Sequence, residues 1–204
     1  MVTMASNKQK KRKCSPLQSG SLSRRFFAYL IDWYAGALVG AIPVSMLASQ
    51  LTGDMTNQNL IDLPSPYGLV AGALSLVLAF AYFVLVPAFV WPGQTPAKRM
   101  MGLRIATLDG GTPTFGQLVV RQVIGLFVID GALVSASTIW HQMLSIVTGI
   151  NFVTPLMYVG FAVTLASVVL ILMRKDRRCI HDLIAGTRVV KAEQELVKET
   201  STID

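Results

Sequence analysis

Charge is what this sequence has least of: Asp, Glu, Lys and Arg make up 14% of its 204 residues, against about 25% in soluble domains. With a hydrophobic share of 52% and a mean hydropathy of +0.54, an ordinary soluble fold is excluded and a multi-span membrane protein is left. Cysteine is nearly absent too. Cys14 and Cys179 match no metal-ligand spacing, and both fall on the side expected to be cytoplasmic, where thiols stay reduced. No disulfide, metal centre or cofactor is expected. Lysine and arginine are missing altogether from two stretches, Ser49 to Tyr67 and His141 to Asn151.

What is present is long apolar runs. A hydrocarbon core roughly 30 Å thick needs about 20 mainly apolar helical residues. Four stretches satisfy that: 26–48, 68–90, 118–140 and 152–173. None alternates with a period of two, so they read as helices whose backbone groups bond internally. The third is interrupted by Arg121 and Asp130, and its far end runs into HQMLSIVTGIN, which either extends the helix or folds as an interfacial turn.

The net charge of +7 would suit a nucleic-acid binder if the basic residues formed one patch, but they are distributed by loop. Seven precede the first run (Lys8 to Arg25), three lie between the second and third (Lys98, Arg99, Arg104), Arg121 starts the third, and seven follow the fourth. The positive-inside rule then predicts an all-α, four-transmembrane-helix bundle in the plasma membrane, with both termini cytoplasmic. Nucleic acid is not an expected partner. Residues 1–23 read as a disordered basic tail against anionic lipid, 24–190 as the membrane domain, and 191–204 as a C-terminal tail.

Between the second and third runs, WPGQTPAKRMMGLRIATLDGGTPTFGQ has helix-stopping prolines, one short amphipathic turn, then a β-branched stretch closed by Asp-Gly-Gly. The tail carries a similar phrase, HDLIAGTRVVKA. GLRI at 102–105 and GTRV at 186–189 predict two short strand-like segments that pair at the membrane surface. They also suggest an internal duplication: Arg25, Asp32, two helices and GLRI, then Arg121, Asp130, two helices and GTRV.

These pieces together resemble the RDD family of membrane proteins. The resemblance rests on RRFFAYLID, on GQTPAKRMMGLRIATLDGGTPT and on RRCIHDLIAGTRVV, and covers about Ser23 to Val190. It implies that Arg25, Asp32 and Asp182 are the family's naming residues, and it implies transport as the usual suggestion for function. One departure is Ala97, where the family loop usually has Gly after Thr-Pro, which makes that turn less permissive.

An ionised aspartate near the centre of a membrane helix costs about 2.5 to 3.5 kcal/mol, so Asp32 and Asp130 must face the bundle interior, find partners or stay protonated. Arg25 and Asp32 are seven residues apart and share a helix face; a water or third residue is expected to bridge them. Arg121 and Asp130, nine apart, lie on opposite faces, so Asp130 needs a partner from another helix or must be neutral. Two readings follow. Either Arg25, Asp32, Arg121 and Asp130 form a transport site with the aspartates as proton or cation ligands, a homo-oligomer assembling the path, or they fix packing in a non-catalytic scaffold that binds a cytoplasmic partner or anionic lipid. An enzyme is not expected: His181 and Asp182 are adjacent, point apart on a helix and have no nucleophile with them. Gly36 and Gly40, four apart, predict a close helix contact.

Overall fold

The computed structural model describes residues 19–125, 135–174 and 176–192. Helix α1 (Leu22–Thr52) begins at Ser21, whose side chain accepts from the Arg24 amide, and ends at Gly53 in the left-handed region. Helix α2 (Tyr67–Phe80) continues directly as a π-helical segment, Ala81–Val90. Pro87 lies within that segment, where a widened turn accommodates a ring that would clash in a tighter helix. Then come α3 (Pro96–Met100), β1 (Leu103–Thr107), α4 (Phe115–Ile124), α5 (Ser135–Thr148), α6 (Val153–Met173), α7 (Ile180–Ile184) and β2 (Thr187–Lys191).

Among the described residues, three helices are long and apolar enough to cross a membrane: Leu22–Thr52, Tyr67–Val90 and Val153–Met173. The expected run at 118–140 is represented at its two ends. Helix α4 packs on the π-helical segment and α7, whereas α5 packs on α1, α2, α6 and the 3-10 turn at Leu60–Asp62. The HQMLSIVTGIN stretch extends the helix, since α5 runs to Thr148. Asp130 and Cys14 lie outside the described residues, as do most of the predicted basic tail and most of the C-terminal tail.

The packed face of α1 is a row of small residues at near-regular spacing: Ala28, Asp32, Gly36, Gly40, Val44 and Ala48 are all buried. Successive members are four apart, so neighbours stack on each other while the row winds about 40° per step around the helix. Across from them α2 offers Ala71, Gly72, Ser75 and Ala79. Small residues let two backbones approach where lipid gives no hydrophobic drive to associate. The expected contact at Gly36 is there: a Cβ at that position would meet the Phe83 ring at 2.7 Å. Ser75 Oγ donates to the Gly40 carbonyl at 2.6 Å. Farther along, Val44, Ala48, Leu60, Leu63, Ala71 and Ile139 form the main apolar core.

The two strand-like segments pair as expected, antiparallel, from Leu103 opposite Lys191 to Thr107 opposite Thr187. The central pair, Ile105 and Val189, joins the same position of GLRI and GTRV, as a two-fold relation between repeats requires. The correspondence is residue by residue over a displacement of 84 positions. It carries α3 (96–100) onto α7 (180–184) and β1 (103–107) onto β2 (187–191). Gly93 and Arg177 both have positive φ (72° and 49°), as do Gly102 and Gly186 (63° and 64°). Gln94 Nε2 donates to the Leu103 carbonyl at 2.9 Å, and Arg178 Nε to the matching Thr187 carbonyl at 3.1 Å. Ala97 is fully buried inside α3 behind Pro96. The departure from Gly there falls in a helix, where Ala is the better former, and not in a turn.

Candidate functional site

Asp32 sits on the packed face of α1, nearly three turns from the helix start, and is 3% exposed. Its carboxylate is held from the π-helical segment and from α3 with its N-cap. Lys98 Nζ donates to Oδ2 at 2.8 Å, Thr95 Oγ1 to the same oxygen at 2.6 Å, and Tyr82 OH to Oδ1 at 3.1 Å. Thr95 is the N-cap of α3 and also accepts the Lys98 amide, so capping fixes the turn that aims Lys98 at Asp32. Lys98 Nζ lies a further 3.3 Å from Thr95 Oγ1. Tyr82 opens the π-helical segment, and such irregular turns concentrate at functional positions.

Arg25 does not join this site, contrary to the expectation of a bridged Arg25–Asp32 pair. Its guanidinium donates to the backbone carbonyls of Arg177 and Val189. It thereby pins the start of α1 to the loop before α7 and to β2. Sharing a helix face placed Arg25 near Asp32, but the sheet edge lies closer to hand, and Gly20 adds its own amide to the Val189 carbonyl.

Arg121 and Asp182 form a second buried pair, with Nε to Oδ1 at 3.0 Å and side chains 8% and 1% exposed. Thr187 Oγ1 donates to the same carboxylate oxygen at 3.2 Å, and the Cys179 thiol to Oδ2 at 2.8 Å. His181 Nε2 lies 3.2 Å from Arg121 Nη2 and 3.0 Å from Cys179 Sγ. The expectation that His181 and Asp182 point apart, with no nucleophile nearby, is therefore corrected. Helix α7 is a single turn capped by Cys179, and residues at N-cap, N2 and N3 of one turn converge on a side chain lying across it. Cys179 is nonetheless no activated nucleophile. Burial, and then the neighbouring Asp182 carboxylate, push its thiol up to about 12, far from thiolate at neutral pH.

Burial alone would push the Asp182 carboxyl up, but Arg121, and after it His181, hold it down at about 2. Burial, and then Arg121, lower His181 to about 4. Both values lie below those of the unfolded chain, about 3.9 and 6.5, so the unfolded state takes up protons first as pH falls. The His181 contribution is complete above about pH 6.5 and drains away toward pH 4, by about 3 kcal/mol in all at 1.36 kcal/mol per unit. Asp182 adds a further loss between about pH 4 and 2. Thermal unfolding in detergent across this range will show stability falling from pH 6.5 downward, and His181→Gln will flatten the slope between 6.5 and 4.

The displacement of 84 positions makes the short-helix members of the two pairs counterparts: Thr95 corresponds to Cys179 and Lys98 to Asp182. It does not relate Asp32 on α1 to Arg121 on α4. The charges are exchanged between the short helices: α3 presents a cation to a carboxylate, and α7 a carboxylate to a guanidinium. Sequence reasoning singled out Asp32, Arg121 and Asp182 but missed Tyr82, Thr95, Lys98 and Cys179 as their partners. The opposite charges at positions 98 and 182 of the repeat were the available signal.

The chain is 29% identical over 175 residues, 84% of its length, to YckC of Bacillus subtilis (strain 168), an uncharacterized protein of which the match covers 86%. It is 31% identical over 103 residues to an uncharacterized protein of Haemophilus influenzae, half of this chain and 47% of that one. No solved structure matches it. The model of the RDD family matches residues 19–186, taking in both buried pairs and β1, and the chain therefore belongs to the RDD family.

Proposed function

We propose that this membrane protein exchanges a small monovalent cation across the bilayer, with Asp32 as the binding carboxylate and Lys98 as a resident counter-charge that gives way to it. The observation that carries the reading is the Lys98 ammonium lodged against Asp32 Oδ2 (2.8 Å) and Thr95 Oγ1 (3.3 Å), with Tyr82 OH on the other carboxylate oxygen. A cation that sheds its water needs an anionic oxygen and neutral oxygens beside it. The ammonium already occupies such a setting, and competition between it and a metal ion or proton makes binding reversible. An intramembrane carboxylate with a named partner is by default a site of this kind.

The same reading places four spans in the plasma membrane, with 118–140 as the third and both termini cytoplasmic. Its support is the attachment of α4 to the end bearing α7 and of α5 to the opposite end. Asp130, in the third span, is then a further protonatable group on the path. The exposed flank of α6, where Gly160 and Ser167 are the buried residues, suits lipid or a second copy of the chain. No enzymatic step is part of the proposal. In proteoliposomes, Na+ or K+ flux driven by a pH gradient will be lost in Asp32→Asn; absence of flux in wild type and variant alike overturns the reading. A second reading, a scaffold for a partner or anionic lipid, draws on the small sheet with α3 and α7 and on exposed Arg99, stacked 4.8 Å from the Trp91 ring at the end of the π-helical segment.

A further inference from the structure

The second buried pair has donors that the exchange of a hard cation does not use. Cys179, His181 and Asp182 each offer a ligand atom, and these atoms lie within 4.8 Å of one another. The carboxylate is divided. Oδ1 takes Arg121 and Thr187, whereas among the described residues Oδ2 receives only the Cys179 thiol. His181 is half-buried; its Nδ1 has no hydrogen-bond partner among the described residues, while Nε2 is the nitrogen that faces Cys179 Sγ. Its counterpart in the first unit, the Thr95 and Lys98 turn, is the proposed hard-cation pocket, built with oxygen donors instead of sulfur and imidazole.

We infer that Cys179 and His181, with Asp182 Oδ2 alongside, bind a thiophilic monovalent metal ion of the Cu(I) type. Sulfur and imidazole select soft and borderline ions over alkali or alkaline-earth ones. Charge then decides among those. The surroundings are basic: Arg121 already answers the Asp182 carboxylate, Arg25 acts on both Asp182 and Cys179, and Arg178 donates to the Asp182 carbonyl. When Cu(I) binds, a Cu–S bond forms, the S–H bond breaks and the proton leaves to solvent. Copper stays in its +1 state, and the net charge is unchanged. A dication such as Zn2+ would leave an uncompensated positive charge beside Arg121 and near Lys98.

The geometry needs little adjustment. Metal–sulfur and metal–nitrogen bonds of about 2.3 and 2.0 Å set trigonal donors roughly 3.7 Å apart, against 3.0 Å between Cys179 Sγ and His181 Nε2. A small rotation of either side chain supplies the difference; the metal takes the Nε2 lone pair, so the contact from Arg121 Nη2 (3.2 Å) gives way while Arg121 Nε keeps its bond to Oδ1.

The test is anaerobic titration of the full-length protein in detergent with Cu(I), against a chromophoric Cu(I) chelator, with a parallel Zn2+ titration. Wild type and Cys14→Ser are expected to bind one Cu(I) per chain with a thiolate-to-copper band in the near ultraviolet. Cys179→Ser should lose that band, and His181→Gln should bind at least tenfold more weakly. Undiminished binding in Cys179→Ser, or tighter binding of Zn2+ than of Cu(I), overturns the assignment. Copper-edge X-ray absorption of the wild-type complex reads the same point without a variant: one sulfur and one imidazole nitrogen support it, and a site without sulfur contradicts it.

Discussion

Arg121→Met will destabilise the protein by about 3–5 kcal/mol, because it leaves a carboxylate enclosed without its counter-charge. Asp182 is fully buried, and Arg121 is the cation bonded to it in the structure. Without the guanidinium, the carboxyl keeps the Thr187 hydroxyl, the Cys179 thiol, a histidine that burial keeps neutral and the weaker field of Arg25. Two responses are open to it. Either it stays ionised at the full desolvation penalty, or it takes up a proton at neutral pH, and both lower stability. The double variant Arg121→Met/Asp182→Leu removes both charges and is expected to recover most of the loss, since a buried ion pair is often no better than well-packed apolar residues of like volume. Thermal unfolding of the three proteins in one detergent checks this; a double variant no more stable than the single one contradicts it.

Gly93→Ala is expected to cost about 2–5 kcal/mol. Gly93 has φ 72°, where a Cβ adds about 1–2 kcal/mol. That Cβ would also lie 2.4 Å from the Ile105 carbonyl oxygen, and such overpacking adds about 1–3 kcal/mol. The neighbour cannot retreat freely. The Gly93 amide donates to the Pro87 carbonyl at 2.8 Å and its own carbonyl accepts from the Ile105 amide at 2.7 Å. Displacing this loop also moves Thr95 and Lys98, two and five residues on, away from Asp32. Gly53→Ala is the control: φ is 77°, but nothing lies within 4 Å, so only the conformational part remains. Similar losses in the two variants would mean that the contact with Ile105 contributes nothing.

The membrane class, the first, second and fourth apolar runs and the pairing of GLRI with GTRV were legible because each depends on local pattern. Length and hydropathy mark a span, and β-branched runs between glycines mark a strand. The partners of the charged residues were not legible, because they are set by topology. Asp32 meets Thr95 and Lys98 from 63 and 66 positions away, and Arg121 meets Asp182 from 61 away. Helix-face arithmetic considers one helix at a time, so it linked Arg25 to Asp32. It had no means of weighing the backbone carbonyls of a distant loop and strand, which Arg25 takes instead. His181 and Asp182 were misjudged for a related reason. Adjacent residues diverge on a long helix, but on a one-turn helix lying beneath Arg121 both reach the same side chain.

The proposed orientation puts the two charge pairs at the cytosolic end of the membrane helices. Labelling with a membrane-impermeant maleimide tests that most directly, using single-cysteine chains with Cys14 and Cys179 replaced by serine. Met55 and Asp109 are exposed at opposite ends. Met55→Cys is predicted to react in intact cells, and Asp109→Cys only after the membrane is permeabilised. Reaction of Asp109→Cys in intact cells would contradict the account.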